Sequence, residues 1–206
     1  MKLTTFLFLA STAVSAVFAA PSPQGYKTVP KTKAAADGLY YLRVNAPQEP
    51  YHNRHVVILP TSQNLGLENF TVHPDTPPIL FAPIKLTSGN FALRAQFSGN
   101  DAETAFIAAL LPTSGSGDVA LMIVYAPEPT QESIKNEPDA CPEGFTCIAD
   151  QWTVGASLGF AGKGGSGTFE AVKLAPEGWQ TLWRTDGEET VYHSITLDVV
   201  ANSGKY

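Results

Sequence analysis

Val191-Tyr192-His193-Ser194-Ile195-Thr196-Leu197-Asp198-Val199 alternates residue by residue. Val191, His193, Ile195, Leu197 and Val199 fall in one register, and Tyr192, Ser194, Thr196 and Asp198 in the other. Successive side chains of an extended chain point to opposite faces, so this stretch predicts a strand with one face buried and one face wet. The same period of two recurs at Phe91, Leu93, Ala95 and Phe97, and again at Trp152, Val154, Ala156, Leu158 and Phe160. Aromatic and β-branched runs at residues 39–44 and 55–59 are divided by NAPQEPYHNR, whose two prolines exclude a helix there. Roughly ten strand-like runs with few helical ones predict a mainly β fold, a single-domain antiparallel β-sandwich or barrel with at most one short helix. The candidate helix starts at Asn100, where Glu103 completes a capping box, and carries Ala102, Phe106 and Leu110 at helical spacing up to Pro112. A strand is the alternative, because Phe106 to Leu111 is continuously apolar.

The N-terminal twenty residues, MKLTTFLFLASTAVSAVFAA, place one cation, Lys2, before an uncharged apolar run closed by small residues. That layout predicts a signal peptide over residues 1–19, cut after Ala19, since Val17 and Ala19 suit the small-residue rule. A membrane anchor would need a longer run, richer in Leu and Ile. Residues 20–37 hold three prolines and few large apolar side chains, which predicts a disordered leader. No dibasic pair marks it as a pro-segment. The β domain is then expected over residues 38–206, with an acidic loop at 126–146 carrying Glu128, Glu132, Glu137, Asp139 and Glu143 against Lys135. About 185 residues remain after cleavage, enough to bury a core without disulfides. Cys141 and Cys147 are the only cysteines and are expected to bridge across CPEGFT, as suits an oxidising compartment. Two thiolates alone would leave zinc under-coordinated.

The formal net charge is -6, and cleavage removes Lys2 as well. Four scattered arginines provide no basic patch, so nucleic acid and anionic lipid are disfavoured partners. No membrane insertion is expected, because the apolar runs at residues 107–111 and 119–125 are far shorter than the ~20 residues a spanning helix needs. Asn69-Phe70-Thr71 is an N-glycosylation sequon, expected on a surface turn.

The familiar catalytic strings are missing: there is no nucleophile elbow, no HExxH and no CxxC. His52 and His55 lie three apart in a proline-rich turn and read as solvated loop histidines, and no metal is expected. His193 alternates with apolar residues and reads as a core or cleft histidine. Gly162-Lys163-Gly164-Gly165-Ser166-Gly167 fits GxGxxG, but the alternating run after it belongs to a strand, so a hairpin tip is expected and no cofactor. Two strand carboxylates, Glu170 and Asp198, with His193, are the candidate catalytic groups for hydrolysis by paired acids. Glu188 and Glu189 lie in a neighbouring turn. Trp179 and Trp183, four apart with Thr181 between, share one face of a strand and span ~13 Å. Exposed, that stripe would be a carbohydrate or ligand platform; buried, it is core.

The layout resembles small secreted proteins of filamentous fungi, some of them cell-wall associated, wall proteins of the phialide-protein type among them. The resemblance is carried by AVFAAPSPQ, DGLYYLRVNAP and the final GW, LWR and YHSITLDVV segments. It implies a wall or extracellular setting and carries over no functional residue. The leading expectation is a secreted, non-catalytic protein acting by surface or glycan binding in the cell wall or extracellular matrix. The alternatives are a small β-fold enzyme, a glycan hydrolase or barrel-type isomerase, and a lipocalin-like carrier of an apolar small molecule.

Overall fold

The computed structural model describes residues 38–96, 104–114, 118–162, 166–174, 176–185 and 192–203. The chain divides into two units, and the first, residues 1–32, lies outside the described residues, as do the expected signal peptide and leader. The described part is mainly β. Its strands are β1 (Tyr40–Asn45), β2 (Val57–Ile58), β3 (Leu65–Glu68), β4 (Leu80–Lys85), β5 (Phe91–Gln96), β6 (Ala105–Pro112) and β7 (Val119–Tyr125). After the helix α1 (Gln131–Asn136) come β8 (Phe145–Ile148), β9 (Trp152–Val154), β10 (Leu158–Phe160), β11 (Gly167–Leu174), β12 (Gly178–Thr185) and β13 (Ser194–Ala201).

Eight of these strands close a barrel in the order β5-β4-β1-β13-β11-β12-β7-β6, and β6 pairs back onto β5. Every ladder is antiparallel, so neighbouring strands alternate in direction around the wall. The end where β1 finishes and β13 begins is termed the upper end.

The lumen is filled by the inward register of each strand, including Leu42 and Val44, Phe81, Leu93 and Ala95, Ile107, Leu121, and Ile195 and Leu197. An eight-stranded barrel leaves room for side chains and little else. Here alanines at 95, 105, 109 and 171 make space for large rings. Trp152 lies 5.2 Å from Phe160, and Trp183 lies 6.1 Å from Phe160 and 4.9 Å from Phe169. A lipocalin-like carrier needs an apolar cavity, and the described lumen is occupied by these side chains.

Two seams are short. The β1–β4 ladder has one pair, Tyr40↔Phe81, and above it residues 54–56 lace onto β1 through Val44 N to Arg54 O (2.8 Å) and Val56 N to Leu42 O (2.9 Å). The β5–β6 ladder likewise has one pair, Arg94↔Phe106. Below it the two strands diverge, β8 pairing with β6 and β9 with β5 through Phe91↔Trp152. Trp152 enters this gap, fully buried, and its indole Nε1–H donates to Ile107 O on β6 at 2.8 Å.

The hairpin β9–β10 covers the lower end and reaches β13 through Ser157↔Asp198. The alternating run from Trp152 to Phe160 is thus two strands and not one. The chain reverses at Gly155–Ser157, and Trp152 comes to face Phe160. The upper end is covered by β2 and β3, with β3 pairing onto the start of β12. Gly178, at φ +134°, sits where β3 and β12 are closest, and a Cβ there would strike the Leu67 carbonyl.

Of the expected helix, Asn100, Ala102 and Glu103 lie outside the described residues, and Ala105–Pro112 is a strand instead. In β6 the residues Ala105, Ile107 and Ala109 face the lumen, while Phe106, Ala108 and Leu110 face a second apolar cluster outside the wall. Burial on both faces explains the continuous apolar run, which helical spacing happened to match. That outer cluster is covered by Ala126, Ile134, Ala140, Cys147 and Ala149. The helix of the fold lies within this covering segment, read from sequence as a solvated loop. Thr130 caps it by accepting from Ser133 N at 3.2 Å, and Ile134 is its buried anchor. The Cys141–Cys147 disulfide pins the far end of the segment.

Tip residues 163–165 of the glycine-rich run fall outside the described residues. The strands on either side are not partners, since β10 pairs with β9 and β11 with β12 and β13. The strands flanking the run, β10 of the lower cap and β11 of the wall, therefore do not form the expected hairpin.

Replacing Trp152 tests the seam directly. Trp152→Phe keeps a smaller aromatic ring but leaves a buried carbonyl without its donor, and is expected to cost about 1–3 kcal/mol for the lost hydrogen bond. Trp152→Ala adds a large cavity and is expected to cost about 3–5 kcal/mol. Denaturant unfolding of the two variants against the parent protein measures both.

Candidate functional site

With its interior filled, the barrel has its reactive side chains on its surface. The groups singled out in the sequence do not come together. Glu170 is fully buried on the outer face of β11, where Arg184 Nε donates to its Oε2 at 3.0 Å. Arg184 Nη2 also reaches Asp118 Oδ1 at 2.7 Å, so one guanidinium pairs with two carboxylates at once. Glu170 stands opposite Ser194, and Asp198 is four residues further along β13, about 13 Å away by strand rise. Asp198 pairs across the ladder with Arg43, Nη2 to Oδ2 3.2 Å. Paired-acid hydrolysis needs two carboxyl groups facing one cleft at roughly 5–9.5 Å. Glu170 and Asp198 are held apart and separately paired.

His193 is neither core nor cleft. Its ladder partners begin only at Ser194, and the side chain is 77% exposed with Nδ1 3.1 Å from Glu49 Oε1. The tryptophans do share a face, as the strand period required, but it is the inner face of β12. Trp183 is buried, Thr181 beside it is fully buried, and Trp179 is half-buried. No exposed two-ring platform results.

What the fold does assemble is a cluster on the upper rim. The loops flanking β2 and β3 carry His52, His55 and His73 to the end of the barrel at which His193 precedes β13, so all four histidines lie at that end. Each has a partner. The Ala46 N–H donates to His52 Nδ1 at 3.1 Å, and His55 Nε2 lies 2.6 Å from Thr76 O. His73 Nε2 lies 3.8 Å from Glu68 Oε1. His52 and His55 are half-buried in these contacts and are not simply solvated loop residues.

The rim is held by a ladder of rings. Tyr51 lies 5.6 Å from Trp179, and Trp179 stacks on Phe70 at 5.2 Å with planes 7° apart. The Arg54 guanidinium covers the Phe70 ring at 4.5 Å, a cation–π contact. Beyond Phe70 is a niche of about 20 Å³, room for one water-sized group, lined by Arg54, His55, Glu68, His73 and Thr76 among others. The Thr76 hydroxyl donates to Glu68 Oε2 within it. Among the described residues no three His, Cys, Asp or Glu side chains are grouped to hold a metal ion.

Glu49 joins Tyr51 to His193. Burial first, then the Glu49 charge and hydrogen bond, push the Tyr51 phenol from 10.0 up to about 12. Glu49, Tyr51, Arg54, Glu68 and Phe70 were not legible as site residues. The run NAPQEPYHNR announced a turn, and nothing in it announced what the turn would meet.

Two outcomes follow from these contacts. An unfolded tyrosine ionises near pH 10, so above that pH the unfolded chain sheds a proton that folded Tyr51 keeps. The stabilisation present below pH 10 is lost as the pH climbs toward 12, and denaturant midpoints should fall less steeply there in Tyr51→Phe than in the parent protein. Arg184→Met strands a buried carboxylate and is expected to cost about 3–5 kcal/mol, most of it recovered by adding Glu170→Leu. Equilibrium unfolding of the single and double variants checks this. Compared with models of known protein families, with curated proteins and with solved structures, the chain has no match.

Proposed function

We propose that this chain is a non-catalytic extracellular protein that binds wall or matrix glycan through the upper rim of its barrel. The observation that carries the reading is a division of labour in the fold. The lumen is packed with hydrocarbon, and the strand carboxylates are paired off separately. Exposed ring and hydrogen-bonding groups collect at one end. Three of the four exposed large hydrophobics among the described residues, Val72, Tyr125 and Tyr192, belong to that end, with the four histidines. Rings that carry a polar tip, beside imidazole and carboxylate, suit a polyhydroxylated ligand, which offers C–H faces to rings and hydroxyls to polar atoms. The Cys141–Cys147 bridge and the signal-like N-terminus support an extracellular setting.

Co-sedimentation with chitin, β-glucan and intact fungal walls tests the proposal. Retention on at least one polymer is expected, weakened about 3- to 10-fold by Tyr192→Ala or His193→Ala, as suits the loss of one ring or one polar contact. Failure to bind any of the three, or retention unaffected by both variants, would overturn it.

A further inference from the structure

We infer that Asn69 carries an N-linked oligosaccharide at the edge of the upper rim, an assignment that rests on the extracellular part of the reading above and not on glycan binding. The chain at this point is a corner. β3 ends at Glu68, and the Asn69 N–H donates to Glu177 O at 2.7 Å, while Asn69 O accepts from Val72 N and His73 N, both at 2.9 Å. Asn69 itself is half-buried, and residues 71–75 after it are exposed.

The sequon is already arranged around the amide. The Thr71 hydroxyl donates to Asn69 Oδ1 at 2.5 Å, and Thr71 N donates to the same oxygen at 3.3 Å. An amide oxygen held by two donors forms an Asx turn, which a short polar side chain can close upon the backbone. Nδ2 has one weak contact, to Pro176 O at 3.4 Å. The amide nitrogen carries two hydrogens, so glycosylation replaces one and leaves the other for Pro176. The backbone hydrogen bonds that hold the corner do not involve Nδ2 and stay in place when the side chain is modified.

The group transfer balances with a lipid-linked diphospho-oligosaccharide as donor. The bond between Asn69 Nδ2 and C1 of the first sugar forms as the C1–O bond to the diphosphate breaks. The lipid diphosphate leaves with the electron pair, and the displaced amide proton passes to base.

A second observation concerns what surrounds the amide. Val72, three residues on in the same exposed loop, is 63% exposed, the most exposed large hydrophobic among the described residues. An oligosaccharide on Asn69 would shield it. Phe70 and Glu68, either side of Asn69, line the niche, so the glycan would flank the niche as well.

The test is expression of the full chain in a eukaryotic host in two forms, with its own N-terminus and with an established secretion leader added. The product is digested with peptide-N-glycosidase and mapped by mass, which records a used asparagine as aspartate. With the added leader, conversion at Asn69, abolished by Thr71→Ala and retained by Thr71→Ser, would support the assignment. Exported protein with the 141–147 disulfide formed and Asn69 unconverted would overturn it. Translation into microsomes reads the same modification before folding, so a variant that misfolds still reports. Retention in the cell of the unaltered chain alone, with Asn69 converted when the leader is supplied, would sink the extracellular reading and leave Asn69 as a competent acceptor.

Discussion

The hydrogen bond from the Trp152 indole to the Ile107 carbonyl is where this barrel closes. Around half of the wall, at β1–β13, β4–β5, β6–β7 and β11–β12, strands are joined by long ladders. Between β5 and β6 only Arg94 and Phe106 are paired, and the strands then part. A gap in a barrel wall exposes two edges whose N–H and C=O groups must find partners. β8 takes the edge of β6, β9 takes the start of β5, and Trp152 fills the wedge between them with a ring large enough to reach both sides. The same ring packs against Phe160 and so ties the lower cap to the lumen. The acidic covering segment, the disulfide and α1 all lie on the chain leading into β8, so their placement follows from that closure.

Filling the lumen has a consequence for chemistry. What the protein presents to solvent is its outer wall and rim, and the outer wall is divided. Around β6, β7 and β12 it is sealed by the segment from Ala126 to Ala149. Along β11 and β13 the carboxylates are locked to arginines in geometries that fix charge and do not present it. The upper rim is different because its loops belong to no ladder for most of their length. There Glu49 and Glu68 each hold a histidine, and Tyr51, Trp179 and Phe70 hold the loops to the barrel as a row of stacked and tilted rings. The rim is thus a polar surface on an aromatic footing.

How far the sequence could be read depended on whether the relevant signal was local. Alternation marked the strands Phe91–Gln96 and Ser194–Ala201, Phe97 and Val191 lying outside the described residues. It did so because their inner positions Leu93, Ala95, Ile195 and Leu197 are buried while Arg94, Gln96, Ser194 and Thr196 are not. Alternation across 152–160 concealed a reversal, since residues at both ends of a tight hairpin can share a face. The run at 105–112 misled in the opposite way. It is apolar on both sides because a segment beyond residue 126 covers its outer face, and helical spacing was then satisfied by accident. For the site, residue type was a poor guide. Glu170 in mid-strand resembled an acid waiting for a partner, and its partner proved to be an arginine fourteen positions on, in the adjacent strand.

By itself the sequence determined the class of the fold, the pairing of its only two cysteines and the sidedness of its strands, because these depend on composition, on count and on a period of two. Tertiary structure alone decided that the sheet closes into a barrel and that Trp179 and Trp183 face inward. It also decided that four histidines spaced over more than a hundred residues lie at one end. Closure, inwardness and convergence depend on which distant segment lies against which, and such contacts leave no trace in local pattern. Period-two alternation had promised a strand at Val191–Val199 with a dry face and a wet one. Only the barrel could say that the dry face looks into a lumen already full.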